Sequence, residues 1–501
     1  MLHWRPTLLT VTLAMMLPSS AGTAVRAQQA PPGHLERAPH VVKTFDGREY
    51  EAELARLTVA ETRGGGSANT IRLAFLRLPT RAAKPGPPTV FLMGGPGIPG
   101  SVMARVPPYA TLFDRLRESG DVVILDQRGI GMSSPVLSCP SVGSLPATVF
   151  QSRSTLGGEL RQRTTACAAQ WNARNVAIAE YNTAASADDV EDVRRALGVE
   201  RLNVLAFSYG THVALTAVRR HPTSFARVVL AGTRGPDHSL KLPSTFDFVF
   251  RRLSTLATAE AIAGRQLPNL VEILQRQLDK LERAPIDVTV TDRGQKRQIS
   301  LAIGKEAFQI LLTNAIDDAR LPALLYAMSL GDNTLLASVL EGVYNGLGQG
   351  ETNLMARTVD CASGASAERL ARVGREAGWA LLGNPIDNLV RAPEFCQAFE
   401  RIDLGDDFRR PIWSDVRTLF VSGTLDAKAP VFEAEEIRLG FPNSAHLLVE
   451  NGFHETLPIP DVQQLVVEFL AGRDVPTQRL VAPAPTFPSI EQAKARGTQG
   501  R

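Results

Sequence analysis

Short apolar runs alternate with helical patterns along much of the chain. The runs Thr89–Met93, Asp121–Asp126 and Arg227–Gly232 are nearly continuous in Val, Leu and other apolar residues. Between them, residues 188–198 have helical spacing and aspartates in the first turn, where negative charge favours the helix dipole. Near-continuous apolar strands separated by helices are typical of a parallel sheet covered on both faces. The pattern therefore predicts an α/β protein.

The N-terminal part of the chain does not show this alternation of strands and helices. Two β-like segments lie around Val41–Leu57 and Ile71–Leu78, with three glycines at residues 64–66 between them as a turn signal. They follow a Pro-containing tail, residues 30–40. We expect the two segments to form an antiparallel pair.

A mainly helical block interrupts the alternation from about Pro236 to Pro411. One β-like hairpin near Ile286–Ile303 lies within it, and strand-helix alternation resumes at Arg417–Gly423. A helical block inserted into a parallel sheet predicts a lid over the carboxyl edge, where ligands bind in open α/β folds. The predicted division is a signal segment (1–27), a first core part (28–235), the lid (236–411), a second core part (412–475) and a loosely ordered tail (476–501).

Composition and charge narrow the function classes. Of 501 residues, 44% are hydrophobic and 21% charged, and the formal net charge is only +3. The chain has no dense Lys/Arg tract, so it lacks the electrostatic footprint of a nucleic-acid-binding protein. A nucleic-acid partner is not expected.

The first residues have the anatomy of a secretory signal. Arg5 precedes an apolar stretch from Leu8 to Leu17, and small residues lead to a cleavage site after Ala27. The apolar part is too short to span a bilayer, and no later stretch reaches that length. An amphipathic N-terminal helix is the alternative. We expect a periplasmic or secreted mature protein with no membrane attachment after signal removal.

Four cysteines fit an exported protein. An even count in such a chain predicts two disulfides, although four cysteines allow three pairings. Their grouping along the chain favours Cys139–Cys167 and Cys361–Cys396. The sequence has no Cys-x-x-Cys and no nearby His pair, so we predict neither a metal site nor a cofactor.

Ser208 is the first candidate for chemistry. It lies in NVLAFSYGTHVA, where an apolar strand pattern passes directly into a helix pattern. Such a turn is the position of a nucleophile elbow, though an ordinary tight turn would read similarly. A serine hydroxyl is a poor nucleophile until a base accepts its proton, and the base needs an acid to orient it.

The base and the acid can be chosen by position. The chain has eight histidines, and three of them follow the helix after Ser208, namely His238, His446 and His454. If the base follows the nucleophile, His454 is favoured, because it alone lies in a loop just beyond a final strand. Asp426 comes directly after the strand Arg417–Gly423 and is the acidic residue at its carboxyl end. The predicted triad is therefore Ser208, Asp426 and His454.

Attack on a carbonyl also requires donors for the oxygen that becomes negatively charged. The backbone N–H of Tyr209, next to the nucleophile, is one candidate. The other lies in the glycine-rich loop after Thr89–Met93, where Pro96 has no N–H and Gly95 is favoured. Alternatively, this loop is only a flexible turn.

Together these segments resemble the α/β-hydrolase superfamily, and more narrowly the prolyl-aminopeptidase and tripeptidyl-aminopeptidase-like serine hydrolases. The resemblance implies an α/β-hydrolase fold, a mostly parallel central sheet with helices on both faces, and an inserted, mainly helical lid. It also implies a Ser, Asp, His triad, a peptide substrate with a free amino terminus, and a supporting role for Arg128. The segments that carry it are GGPG (94–97), DQRGIGMSS (126–134), FSYG (207–210), SGTLDAKAP (422–430), NGFH (451–454) and, in the lid, ATAEAIAGRQLPNLVEILQRQL (257–278).

Two departures keep other functions open. Ala206 stands where the family elbow usually has glycine, and residues 362–364 are Ala-Ser-Gly where relatives often have carboxylates that hold the substrate ammonium. We therefore expect a serine hydrolase acting on a small peptide or ester, with an aminopeptidase ahead of a carboxylesterase or lactonase. A non-catalytic binding protein on the same scaffold is the remote alternative, and the oligomeric state stays open.

Overall fold

The computed structural model describes residues 30–65, 68–140, 144–262, 265–399 and 402–499. The predicted signal segment, residues 1–27, lies outside the described residues.

Strands occur along the whole described chain, and most belong to one sheet. The strands of the described residues are β1 (Leu35–Lys43), β2 (Glu49–Ala60), β3 (Thr70–Leu78), β4 (Thr89–Leu92), β5 (Val122–Asp126), β6 (Ser138–Pro140), β7 (Leu202–Phe207), β8 (Phe225–Ala231), β9 (Ala261–Ile262), β10 (Arg265–Gln266), β11 (Ile286–Asp292), β12 (Arg297–Ile303), β13 (Glu351–Asn353), β14 (Arg417–Gly423), β15 (Ser444–Glu450) and β16 (Gln478–Val481).

Helices separate the parallel strands and fill the segment between β8 and β14. The α-helices of the described residues are α1 (Gly100–Met103), α2 (Pro107–Leu116), α3 (Arg153–Asn172), α4 (Thr183–Leu197), α5 (Tyr209–Arg220), α6 (Pro243–Ala259), α7 (Leu270–Arg283), α8 (Lys305–Asn314), α9 (Leu321–Ser329), α10 (Thr334–Gln349), α11 (Leu354–Ser363), α12 (Ala367–Ala377), α13 (Ile386–Leu389), α14 (Pro393–Cys396), α15 (Gly405–Arg409), α16 (Val431–Arg438), α17 (Pro460–Leu470) and α18 (Ile490–Gln499).

The main sheet has ten strands in the order β1-β2-β3-β5-β4-β7-β8-β14-β15-β16. The first three pair antiparallel with one another, and β3 pairs antiparallel with β5. From β5 to β16 every neighbouring pair is parallel. The strands β4, β5 and β7 are fully buried, as strands covered on both faces must be. The predicted fold class, a mostly parallel sheet with helices on both faces and an inserted helical segment, is confirmed.

The N-terminal strands differ from the prediction. The segment expected as one strand over residues 41–57 is two strands, because the chain turns at Gly47, whose φ is +87°. The Thr44 carbonyl accepts a hydrogen bond from the Gly47 N–H at 3.0 Å and closes this turn. Residues 35–40, expected in a tail, belong to β1 and pair with β2.

The segment between β8 and β14 builds a hydrophobic core of its own. Apolar side chains of α7, α8, α9 and α10 pack together there with the hairpin β11–β12. The helix α11 is different, because Leu354, Met355 and Val359 pack in the same cluster as the strands of the main sheet. This helix therefore joins the inserted segment to the sheet.

The C-terminal prediction is wrong for two stretches. Residues 478–481 form β16, which pairs with β15 and extends the sheet beyond the predicted end of the core at residue 475. Residues 490–499 form α18, in which Ala493 is fully buried, and Phe487 is buried just before it. The prolines that suggested a loose tail lie between these two elements, where they interrupt neither.

Both predicted disulfides are present. Cys139–Cys167 joins β6 to α3, and Cys361–Cys396 joins α11 to α14. They close 28- and 35-residue separations along the chain. Within the described ranges, no helix is both long enough and apolar enough to cross a membrane.

Candidate active site

The turn after β7 holds Ser208 in a conformation that few residues adopt. Its φ is +53° and its ψ is −122°, outside the regions favoured by L-residues. The turn is tight because α5 begins at the next residue and passes close to β4. A Cβ on Gly210 would lie 2.0 Å from the Leu92 carbonyl oxygen, so only glycine fits there. Ala206 is fully buried within β7, so the sheet accommodates the methyl group where the family usually has glycine.

His454 follows β15 and reaches Ser208 from the neighbouring part of the same sheet edge. Its Nε2 lies 2.9 Å from the Ser208 Oγ, and its Nδ1 lies 2.7 Å from the Asp426 Oδ2. The Phe207 ring packs beside the imidazole with centroids 5.0 Å apart. These contacts are consistent with a ring that donates from Nδ1 to the carboxylate and accepts the serine proton at Nε2.

Asp426 is held by backbone groups of its own loop. Its Oδ1 accepts hydrogen bonds from the N–H groups of Lys428 and Ala429, both at 2.8 Å, and the residue is 2% exposed. Burial acts to raise the pKa of Asp426, but His454 and the two N–H groups outweigh it, so the pKa lies below its ordinary value. The carboxylate is therefore charged at neutral pH and fixed against the imidazole.

The loop after β4 lies directly against the nucleophile. A Cβ on Gly94 would be 2.5 Å from the Cβ of Ser208, so the glycine backbone approaches the serine where a side chain could not. Gly95 follows in this loop, and Tyr209 starts α5 next to Ser208. Tyr209 is therefore adjacent to Ser208, and Gly95 follows the glycine that approaches it, while the role of both N–H groups as oxyanion donors stays a prediction.

Polar contacts from two directions fix this loop. Buried Asp126 accepts hydrogen bonds from the backbone N–H and the Oγ of Ser101, just beyond the loop, at 2.8 and 2.7 Å. The Asn353 Nδ2 donates to the Gly97 carbonyl at 3.1 Å, while its Oδ1 caps α11 by accepting from the Ala356 N–H. The start of α11 is therefore tied to the glycine-rich loop.

Arg128, for which the resemblance implies a supporting role, lies in a buried network of hydrogen bonds. It is fully buried, and its guanidinium donates to both carboxylate oxygens of Asp189 at 2.7 Å. It also donates to the carbonyls of Glu61 and Glu180. These contacts join α4 and the segment before it to the loops after β2 and β5.

A second set of Ser, His and carboxylate side chains makes similar contacts but is closed to substrate. The His446 Nε2 lies 2.9 Å from the Ser422 Oγ, and its Nδ1 contacts Glu435. Both Ser422 and His446 are fully buried within β14 and β15. A substrate cannot reach this hydroxyl, whereas the His454 side chain is partly exposed at the sheet edge.

A cavity of about 410 Å³ opens from the glycine-rich loop into the inserted segment. Gly95, Pro96 and Ile98 line one end, and apolar side chains of α8 and α10 line the walls. Charged side chains line another part: Arg357, Asp360, Asp387 and Arg391. Within the described ranges, no group of three or more His, Cys, Asp or Glu side chains could hold a metal ion.

The sequence analysis did not identify the residues that α11 and α13 contribute to the glycine-rich loop and to the cavity. Asn353 precedes an apolar helical pattern, so its role as an N-cap could have been anticipated. Its contact with Gly97 spans 256 positions and has no local signal. The charged residues of the cavity likewise come together only through the fold of the inserted segment.

Comparison with known proteins agrees with the fold. Residues 87–277 match the family model described as alpha/beta hydrolase fold. With the sheet topology, this match gives the chain an α/β-hydrolase fold.

Two curated relatives match a shorter part of the chain. YuaR of Escherichia coli strain K12, named as a hydrolase, is 32% identical over 166 residues, which is 32% of this chain and 31% of YuaR. The serine protease Hip1 of Mycobacterium tuberculosis is 28% identical over 173 residues, or 33% of this chain and 32% of Hip1. The chain thus spans about a third of the length of these relatives.

Solved structures resemble the chain only distantly. A proline iminopeptidase of Mycobacterium smegmatis is 14% identical, covers 83% of this chain and 97% of its own, and has a TM-score of 0.38. At that score the likeness adds nothing to the assignment.

Proposed function

We propose that the protein is a serine hydrolase that acts through an acyl-enzyme on Ser208. The observation that supports this most is the continuous hydrogen-bonded path from Asp426 through His454 to the Ser208 Oγ at the carboxyl edge of the sheet. The strained serine backbone and the exposed side of the imidazole also support it.

In the first half of the reaction, the Ser208 Oγ bonds to the substrate carbonyl carbon while its proton passes to the His454 Nε2. The negative charge on the carbonyl oxygen is stabilised by the N–H groups of Gly95 and Tyr209. Collapse of this intermediate breaks the bond to the leaving amine or alcohol, which takes the proton from His454. In the second half, a water gives its proton to His454, attacks the acyl carbon and releases the carboxylic acid, and the proton returns to Ser208.

The first substrate class we propose is a peptide cleaved near its free amino terminus. The resemblance to prolyl- and tripeptidyl-aminopeptidase-like enzymes supports it, as does the name of the relative Hip1, a serine protease. An ester is the second candidate, because the cavity carboxylates Asp360 and Asp387 are already paired with arginines rather than open to an ammonium group.

A panel of substrates separates these candidates. Purified protein is assayed with aminoacyl and tripeptidyl p-nitroanilides beside short acyl p-nitrophenyl esters. Cleavage of amides with an unblocked amino terminus, and loss of cleavage when that terminus is acetylated, is the expected result. Rapid ester hydrolysis with no amide cleavage would make the protein an esterase.

We also propose export with removal of residues 1–27. The two disulfides support an oxidising compartment. Amino-terminal sequencing of the mature protein from a periplasmic or culture fraction should begin at Gln28. Recovery of the intact amino terminus from the cytoplasm would contradict this proposal.

A further inference from the structure

The cavity beside the glycine-rich loop contains one charged side chain, Arg357, that has no hydrogen-bond or ion-pair partner in the part of the chain that the structure describes. Arg357 lines the cavity together with Gly95 and Pro96 and is half-buried. Among the described residues, no hydrogen bond or ion pair joins its guanidinium to another group. The other charged groups that line the cavity have ion-pair partners.

Those other charges compensate one another. Asp360 is 2% exposed and lies 3.0 Å from the Arg234 Nη2 and 2.9 Å from the Arg391 Nε. The Arg391 Nη1 donates to Asp387 at 2.8 Å. Together with Arg234, which does not line the cavity, two carboxylates and two guanidinium groups are thereby paired, and Arg357 remains without an ion-pair partner among the described residues.

The position of Arg357 is fixed relative to the reacting groups. It lies one helical turn after Asn353, whose side chain donates to the Gly97 carbonyl. Toward the other end of α11, Cys361 forms its disulfide with Cys396. A helix anchored near both ends holds Arg357 at one place on the cavity wall.

Because the Arg357 guanidinium has no ion-pair partner among the described residues, a negatively charged ligand group in the cavity would compensate its charge. Burial lowers the pKa of Arg357, and the nearby Arg391 also lowers it, although Asp360 and Asp387 oppose both effects. A guanidinium is nevertheless always protonated in proteins near neutral pH, so the charge must be accepted or paired. A carboxylate offers two oxygens to its fork of N–H donors and forms the strongest common pairing.

We propose that Arg357 binds a carboxylate of the substrate and selects substrates that carry one in the part entering the cavity. This inference rests on the proposed serine hydrolase function and names its substrate class more closely. A free ammonium group is disfavoured at this place, since it would lie near Arg357 and Arg391 and compete for aspartates that are already paired.

The test compares near-isosteric substrates that differ in one charge. Glutamyl and glutaminyl p-nitroanilide form one pair, and mono-p-nitrophenyl glutarate and p-nitrophenyl 4-carbamoylbutanoate form the other. The kcat/KM ratio of the charged to the neutral member is measured for wild type, Arg357→Gln and Arg357→Lys. Arg161→Gln, which removes an exposed positive charge on α3, is the matched control.

We expect wild type to prefer the charged member of at least one pair by tenfold or more, mainly through KM. Arg357→Gln should bring this ratio close to one, Arg357→Lys should retain part of it, and Arg161→Gln should keep the wild-type ratio. A wild-type ratio near one, or a ratio that Arg357→Gln leaves unchanged, would overturn the inference. If Arg357→Gln does not fold, the lysine variant decides the question. A charged-to-neutral kcat/KM ratio in Arg357→Lys equal to that of wild type would then overturn the inference.

The results that would exclude the proposed serine hydrolase function differ from those that would overturn the role of Arg357. Absence of turnover for all four substrates, with no reaction of Ser208 with a fluorophosphonate, would exclude a serine hydrolase. If Ser208 reacts but turnover is too slow to measure, protection of Ser208 by monomethyl glutarate and by methyl 4-carbamoylbutanoate gives the same comparison of a charged and a neutral ligand. Stronger protection by monomethyl glutarate, lost in Arg357→Gln, is the expected result, and equal protection would overturn the inference.

Discussion

At the scale of single residues, three side chains from distant positions share one proton path. Ser208 and His454 are 246 positions apart, and Asp426 precedes His454 by 28. Each is presented by a loop at the carboxyl end of a different parallel strand, so all three meet at the same edge of the sheet. The hydrogen bonds then follow from the fold and not from any local sequence.

Asp426→Asn tests the orienting role of the carboxylate. Asparagine keeps an oxygen that can accept from Lys428 and Ala429, but its amide donates to the imidazole and favours the wrong tautomer. We expect kcat to fall by about 10³–10⁴ while the thermal unfolding profile stays near wild type. A loss of less than tenfold, measured with the best substrate of the panel, would contradict the assignment.

The hydrogen-bonded set of Ser208, His454 and Asp426 could be predicted from the sequence, whereas the residues that support it could not. Ser208, Asp426 and His454 each follow a recognisable strand pattern, and their chain order leaves little choice among eight histidines. Asn353 and Arg357 carry no such signal, because their significance depends on where α11 packs. Sequence alone also could not show that the cavity aspartates are paired with arginines.

At the scale of elements, the buried strands were predictable and some of the surrounding helices were not. The strands β4, β5, β7, β8 and β14 are apolar runs that periodicity identifies directly. The helix α3 was not predicted, because only four of its 20 residues are buried and these do not form a regular apolar stripe. Similarly, β16 is a four-residue strand with mixed polarity that depends on pairing with β15.

Gly210→Ala tests the close approach of α5 to β4. The new Cβ would lie 2.0 Å from the Leu92 carbonyl oxygen, so the helix would have to move. We expect the free energy of unfolding to fall by more than about 2 kcal/mol, and hydrolysis to fall with the displacement of Ser208. Denaturant unfolding and the substrate assay measure the two effects.

Gly342→Ala is the matched control for this substitution. Gly342 lies inside α10, where an added Cβ would contact nothing within 4 Å. Helix propensity predicts stabilisation by up to about 1 kcal/mol with no change in activity. Similar destabilisation by both substitutions would show that the close approach at Gly210 is not the cause.

At the scale of the whole molecule, the sheet connects elements that the sequence separates widely. The inserted segment between β8 and β14 contributes walls of the cavity, and the sheet contributes the edge that carries Ser208, Asp426 and His454. Ion pairs outside the site contribute to the stability of this assembly. Glu191 on α4 is 4% exposed and accepts hydrogen bonds from Arg194 at 2.8 Å and from the Ser224 Oγ, just before β8, at 2.7 Å.

Acid should weaken the molecule partly through Glu191. The hydrogen bonds from Arg194 lower its pKa to about 2 against burial, and those from Ser224 and Arg195 add to this effect. A lowered carboxyl pKa contributes stability above its ordinary value of 4.5, and that contribution is lost as pH falls from there toward 2. Because Arg195 is largely exposed, we expect a contribution of about 1–2 kcal/mol after screening.

Unfolding of wild type and Glu191→Gln between pH 7 and pH 3 measures this contribution. The variant should be less stable at pH 7, and its stability should fall less steeply with acid than that of wild type. Glu118→Gln, at an exposed position, should follow the wild-type curve. Parallel curves for wild type and Glu191→Gln would contradict the role of this ion-paired carboxylate.

The central claim is that Ser208 is a nucleophile activated by His454 and Asp426, and covalent labelling tests it most directly. A fluorophosphonate is added to folded wild type, Ser208→Ala and His454→Ala, and the modified peptide is identified by mass spectrometry. We predict one label per wild-type chain, on the Oγ of Ser208, none in Ser208→Ala, and much slower labelling in His454→Ala. Folded wild-type protein that stays unlabelled, or that is labelled at another residue, would contradict the account.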